Sequence, residues 1–500
     1  MHEMNGNGKR KSEISLPNST EDIEDYHHGG DELHHENAHG LNWWVTGLFI
    51  VGECAGGGLV AMPSALANAN LLSGLIVIAI SGIASTYTAI QLGWNWTMLQ
   101  ERWPEYRSHC RKPYPAMGYR ALGTWFKHIV SACIDLTQFG VCVAFLLLAS
   151  NNIHDFLKAF FDINLNFCIL ILIVAVLILP VTMLKSPQDF WPAVVLAMIT
   201  TSCACVLIVV GSLLDAGTCK PVVEYPKLNA NTFFLAFGTI MFAYGGHSAY
   251  PTIQHDMKKP NQFHRSSILA YTIINLMYVP TAVLGYLSYG DSLRDSVIPS
   301  LQIKWMQQTT NVLITLHVCL ALTIMFNPIN QEVEEVFNLP QSFGWQRVVA
   351  RSGMMVACVF VAESIPHFGV IFDLVGGSTM TMCAIILPGI FNLFLTAAKK
   401  KAGGKINTDD KATLRDVFTE TPPLKLVVNI LVILFGLCGG IAATYSAIQA
   451  MFSSDFTPPC YVMPFLNQSH PNEALGHTNC CGPFKNVSRY GNSSEYCTLS

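Results

Sequence analysis

Charge is what this 500-residue chain has least of. Only 12% of its residues are Asp, Glu, Lys or Arg, about half the roughly 25% usual in soluble domains. Hydrophobic residues make up 51%, and the mean hydropathy is +0.38. This balance excludes an ordinary soluble enzyme of two or three domains. It also excludes a disordered chain, which needs high charge and few apolar residues. A net charge of −4 gives no basic surface for nucleic acid. Catalytic signatures are missing too. No Gly-x-Ser-x-Gly occurs, and no His-Glu-x-x-His falls within the apolar runs. Neither a nucleophile elbow nor a zinc-hydrolase helix can therefore be built in them, and the expectation is no enzyme, no cofactor and no metal. A cleavable signal peptide is also absent from the start of the chain. Residues 1–41 are polar, with Lys9, Arg10 and Lys11 well ahead of the first apolar run, which should act as an uncleaved anchor.

The apolar residues come in long runs. A membrane-spanning helix needs about 20 mostly apolar residues. Eleven such runs lie near 43–64, 71–94, 129–150, 168–184, 190–214, 231–251, 267–289, 309–330, 348–365, 367–395 and 426–450. The expected fold class is all-α, a multi-pass membrane protein with eleven transmembrane helices. Residues 1–41 form a disordered tail rich in acid and His (His27, His28, His34, His35, His39). Residues 42–450 form the transmembrane domain, and 451–500 a Cys-containing tail. With the N-terminus in the cytosol and the runs alternating, 22 of the 29 Lys and Arg fall on the cytosolic side, as the positive-inside rule requires. Arg102, Arg107, Arg111, Lys112 and Arg120 lead this bias, with Lys399, Lys400, Lys401 and Lys405 in a later loop.

An odd number of spans places the C-terminal tail outside the cell or in a lumen. The tail carries three N-glycosylation acceptors, Asn467, Asn486 and Asn492, and four cysteines, Cys460, Cys480, Cys481 and Cys497. Both features fit an oxidising compartment. The pairing of the cysteines is open, and Cys219 in another non-cytosolic loop is a further candidate. Plasma membrane and endolysosomal or vesicular membrane fit equally well.

Two runs are broken. The first reads Gly52-Glu-Cys-Ala-Gly-Gly-Gly-Leu-Val-Ala-Met-Pro63, and the sixth Phe237-Gly-Thr-Ile-Met-Phe-Ala-Tyr-Gly-Gly-His-Ser-Ala-Tyr-Pro251. Glycine weakens a helix by about 1 kcal/mol relative to Ala, and proline by about 3. Backbone freed at the bilayer midplane must line protein or a water-filled cavity. The broken runs are five apart, as in two inverted five-helix repeats with an eleventh helix added. A half-helix N-terminus attracts an anion and a C-terminus a cation, and a zwitterionic amino acid needs both. Gly56, Gly57 and Gly58 are the expected carboxylate site. Tyr244, Gly245 and Gly246 are expected to supply carbonyls and an aromatic wall near the ammonium. The alternative is that these glycines are close-packing points between helices.

Other segments join these two: Tyr114-Pro-Ala-Met-Gly-Tyr-Arg-Ala-Leu-Gly, Thr137-Gln-Phe-Gly-Val-Cys with Phe145 and Asn151-Asn152 beyond, Asp256-Met-Lys-Lys-Pro, Tyr289-Gly-Asp-Ser, His367-Phe-Gly and Leu374-Val-Gly-Gly. In order, over about residues 40–450, they resemble the amino acid/auxin permease family, especially its proton-coupled amino acid transporter branch. The resemblance implies a leucine-transporter-like fold and proton-coupled amino acid transport. Against the family pattern, Glu53 is acidic, the first break reads Gly-Gly-Gly and the sixth run has Gly246 where Glu is frequent.

Ionisable groups inside a membrane are costly and usually face a cavity. The runs contain Glu53, Asp135, His247, His317 and Asp373. Glu53 leads as the proton-coupling residue, followed by His247, Asp135 and Asp373. His317, with apolar sequence neighbours, reads as a packing histidine, and Glu363 as solvated. Sodium is the alternative coupling ion. The expected activity is secondary active transport of small neutral amino acids by alternating access. Vesicular amino acid/proton exchange and a transport-dead amino acid sensor are the alternatives. The bilayer and the amino acid are the expected partners, with no nucleic acid and no obligate protein partner.

Overall fold

The computed structural model describes residues 40–465, apart from 109, 164, 184–190, 222, 341–343, 404, 406–410 and 453–457. They belong to the unit His35–Ser500. The histidines of the N-terminal tail, the sequons at Asn467, Asn486 and Asn492, and Cys480, Cys481 and Cys497 lie outside the described residues.

The described residues form helices and no strand. The helices are α1 (Trp43–Cys54), α2 (Gly57–Ala69), α3 (Leu71–Arg102), α4 (Pro113–Leu122), α5 (Thr124–Phe161), α6 (Phe167–Thr182), α7 (Trp191–Cys219), α8 (Ala230–Ala243), α9 (Tyr250–His255), α10 (Phe263–Tyr289), α11 (Lys304–Val336), α12 (Trp345–Ser364), α13 (Phe368–Val375), α14 (Leu387–Lys401), α15 (Leu414–Glu420) and α16 (Pro423–Met451). Seven helical stretches are long and apolar enough to cross a membrane, and the bent pair α1/α2 makes an eighth. The fourth, sixth and ninth runs are different. α6 and α8 are shorter apolar helices. α12 has 20 residues but includes Arg347, Arg351 and Glu363. Several helices overrun their apolar runs. α5 spans 38 residues and α11 33, because helices continue beyond the stretch that hydrocarbon requires to be apolar.

The end of the bundle at which α1 begins is called proximal, and the other distal. At the proximal end, Glu334 near the end of α11 is buried between two arginines of α12. Its Oε1 lies 2.7 Å from Arg351 Nε and 3.0 Å from Arg347 Nε. Arg351 also donates to the Thr182 carbonyl at the end of α6. Three helices are thus tied by one charge cluster, and pairing is how buried ions are tolerated. Beyond α14, Thr413 caps α15. Asp416 Oδ2 accepts from the Thr413 N–H at 2.8 Å and from Lys401 Nζ at 3.0 Å. The backbone bond, then the lysine, hold the Asp416 carboxyl down at about 2.

At the distal end, Cys460 is bonded to Cys168, the second residue of α6. The sequence places Cys168 inside the fourth apolar run, but Asn166 caps α6 through the Cys168 N–H at 2.9 Å. Cys168 therefore sits at a helix mouth, within reach of the chain leaving α16. The Cys460 N–H donates to the Glu363 carbonyl at 2.8 Å, and Tyr461 stacks on Phe360. Cys219 is also disulfide-bonded.

Candidate functional site

Both glycine-rich segments interrupt their helices. α1 ends at Cys54, Ala55 and Gly56 are non-helical, and α2 leaves at 59° to α1. α8 ends at Ala243, and the chain turns through Tyr244–Ala249 before the six residues of α9. The two breaks meet. A Cβ on Gly58 would lie 2.6 Å from both the Ala243 Cα and Cβ, and one on Gly246 would lie 2.6 Å from Cys54 Sγ. The start of α2 thus rests on the end of α8, and the end of α1 on the second break. The N–H-bearing end of one half-helix and the carbonyl-bearing ends of two others converge here, the polarity a zwitterion requires. Glycine serves here both as a close-packing point and as a helix breaker.

Much of the freed backbone is claimed by α10. Tyr278 Oη lies 3.0 Å from the Cys54 carbonyl and 3.0 Å from the Ala243 carbonyl, so one hydroxyl joins the ends of α1 and α8. Tyr271 Oη donates to the Tyr244 carbonyl at 3.1 Å. A tyrosine has one proton to donate, so Tyr271 must accept from Tyr250, 3.0 Å away, and Tyr250 in turn from the Cys54 thiol at 3.0 Å. Tyr244 Oη donates to Asn275 Oδ1 at 2.6 Å. Among the described residues, nothing donates to the Gly245 carbonyl, and the Met380 side chain packs against this glycine. Tyr271, Asn275 and Tyr278 lie four and three residues apart, on one face of α10. They were missed in the sequence, where the signal was a polar stripe at helical spacing within an apolar run.

Aromatic rings cover the other side. Phe242 stacks on Phe372 with centroids 4.0 Å apart, and Phe145 lies 6.3 Å from Phe242. A Cβ on Gly57 would lie 2.8 Å from Phe372 and 3.0 Å from Phe145. Little room remains beside the start of α2 for a bulky ligand.

The expected ionisable residues divide. Glu53 is half-buried at the last turn of α1 and has no hydrogen bond or ion pair among the described residues. His247 is fully buried, with Nε2 3.1 Å from the Ser85 carbonyl and 3.2 Å from Thr88 Oγ1. It braces the second break against α3. Asp373, buried on α13, accepts from the Thr239 hydroxyl, four residues before the end of α8. Asp135 is apart from them, half-buried in the proximal half of α5, with Lys112 and Glu332 as its charged neighbours.

His317 departs from its sequence reading. It is fully buried on α11, and its Nδ1 lies 2.8 Å from Thr201 Oγ1 and 3.1 Å from the Ala197 carbonyl, both on α7. Its Nε2 has no hydrogen-bond partner and points at Gly56, where a Cβ would collide with it. Its apolar sequence neighbours carry no sign of this, because the facing residue is 261 positions away.

Comparison with known proteins agrees with this arrangement. The pattern of the family described as "Transmembrane amino acid transporter protein" matches residues 39–415. Amino acid transporter AVT1J of Arabidopsis thaliana is 27% identical over 373 residues, covering 71% of this chain and 82% of that protein. Lysine histidine transporter-like 1 of the same plant is 24% identical, covering 77% and 87%. Among solved structures, MhsT in complex with L-phenylalanine aligns with a TM-score of 0.53 at 11% identity, over 82% of this chain and 100% of that one. The likeness to MhsT is one of fold, the leucine-transporter-like arrangement with two broken helices.

Proposed function

Since this chain belongs to the transmembrane amino acid transporter family, we propose that it moves small neutral amino acids across a membrane by alternating access, coupled to protons. One observation carries the reading, the meeting of the two breaks at Gly58 and Ala243. The carboxylate sits at the N–H groups of Gly56, Gly57 and Gly58, where the N-terminus of α2 favours negative charge. The ammonium turns toward the Gly245 carbonyl, which has no donor among the described residues, and the carbonyl-rich ends of α1 and α8. Phe145, Phe242 and Phe372 restrict the side chain. The proximal end faces the cytosol, in keeping with the basic residues, and the distal end faces the outside of the cell or a lumen.

Glu53 is proposed to take part in proton coupling as the relay by which the proton enters and leaves the site. It stands at the break without a hydrogen-bond or ion-pair partner among the described residues, so it is free to load a proton from one side and unload it to the other. Uptake of labelled amino acids into liposomes holding the purified protein tests this. With an inward proton gradient the protein should accumulate substrate above equilibrium. Glu53→Gln should still exchange labelled for unlabelled substrate but fail to concentrate it. Binding without accumulation by the unaltered protein would replace transport with a sensing role. Undiminished accumulation by Glu53→Gln would remove Glu53 from the coupling.

A further inference from the structure

The proposed mechanism uses backbone groups at the carboxylate site. It leaves one buried polar atom beside that site without a role, Nε2 of His317. We propose that His317 is a substrate-binding residue whose protonated ring meets the amino acid's carboxylate at the start of α2, so that substrate and proton bind together. The proposal rests on the reading of this chain as an amino acid transporter.

Hydrogen-bond arithmetic sets the protonation state. The Ala197 carbonyl can only accept, so Nδ1 of His317 carries a hydrogen for it and for Thr201. In the neutral ring Nε2 is therefore a bare lone pair. A carboxylate offers it no hydrogen and would be repelled. Once a proton adds to Nε2, the ring becomes an imidazolium with a second N–H, held in place by the two partners of Nδ1. That N–H points toward Gly56, the residue that opens α2. The ring packs directly against Gly56, so the first break must open there by the width of a carboxylate oxygen, which then accepts a charge-assisted hydrogen bond from Nε2. No bond other than N–H is made or broken. The proton enters with the substrate and leaves with it.

The ring's surroundings make this group responsive to its ligand. From α7 it meets Thr201 and the Ala197 carbonyl, with Cys205 one turn further along. On α11 itself the nearest titratable group in sequence is Cys319. From the first broken helix it meets Gly56, and Glu53 lies three residues before. Among the described residues, no charged side chain is hydrogen-bonded or ion-paired to the ring. A bound carboxylate is therefore the natural counter-charge. By linkage, if the proton strengthens substrate binding, the substrate strengthens proton binding by the same factor. Close packing explains why position 56 is glycine, but it gives no pH dependence, so the two roles can be separated by experiment.

The test is calorimetric titration of purified protein with each of the twenty common L-amino acids and γ-aminobutyrate. It is run across pH and in buffers of different ionisation enthalpy, which counts protons taken up on binding. The unaltered protein should take up close to one proton per ligand in the steep part of the profile, with affinity rising up to tenfold per unit fall in pH. His317→Gln should bind more weakly, without pH dependence and without proton uptake. Thr201→Val keeps the ring but removes one partner of Nδ1, and should move the steep region to lower pH. It provides the test if the glutamine variant does not fold. Linkage that persists in His317→Gln and disappears in Glu53→Gln would overturn the inference, as would binding by the unaltered protein with no proton uptake, or an unmoved profile in Thr201→Val. Failure of every amino acid to bind the unaltered protein would instead overturn the transporter reading.

Discussion

Gly58→Ala should abolish most transport while leaving the protein folded and in the membrane. The new methyl would lie 2.6 Å from both the Cα and the Cβ of Ala243. A Cα is backbone, so no side-chain rotation relieves the contact, and α2 must move off α8. Overpacking of this kind costs about 1–3 kcal/mol. Here the displaced groups are the N–H donors proposed to hold the carboxylate. Apparent substrate affinity should therefore fall about 10- to 100-fold, with expression and thermal stability changed much less. Binding and uptake assays on the purified variant check this. Near-normal affinity would show that the junction of α2 with α8 does not shape the site.

Tyr278→Phe should have the second largest effect, through the opposite operation. It removes one oxygen and leaves the Cys54 and Ala243 carbonyls without their shared donor. An unpaired buried acceptor costs about 1–3 kcal/mol, and two are created at the point where both helices unwind. The variant should melt at a lower temperature, and its substrate affinity should weaken by about tenfold or more. Tyr271→Phe frees the Tyr244 carbonyl and removes the acceptor of the Tyr250 hydroxyl, but it should be milder, since that hydroxyl can turn to Cys54 Sγ and the ends of α1 and α8 stay joined by Tyr278. If Tyr278→Phe matched the unaltered protein in both melting and binding, water would be satisfying these carbonyls, and the tyrosine would not be the clasp between the two breaks.

The breaks were readable from residue types because glycine and proline act locally on the backbone. Gly56–Gly58 and Tyr244–Gly246 fall where the chain leaves the helix. The long spans were readable for a similar reason, since their apolar content is a local property. What escaped depended on distant neighbours. The apolar setting of His317 in sequence pointed to packing, and only the approach of the first broken helix gives its free nitrogen something to face. Cys168 looked like one more apolar residue of the fourth run, until the chain beyond α16 returned to meet it. The clasp formed by Tyr271, Asn275 and Tyr278 lay between these cases. Its spacing was visible, but the carbonyls it serves belong to other helices. Among the acids, the sequence places Asp135 nearer the cytosolic end of its run and Asp373 about two turns into its own, without showing a partner for either. Depth and neighbours separated them, one bonded beside the second break and the other near the proximal charges.

The most direct measurement is a structure of the protein with a transported amino acid bound. The carboxylate should lie about 3 Å from the N–H groups of Gly56–Gly58 and from Nε2 of His317, with the ammonium turned toward the Gly245 carbonyl and the side chain beneath Phe242 and Phe372. Density for the amino acid elsewhere in the bundle, with the crossing of α1/α2 and α8/α9 unoccupied, would contradict the account.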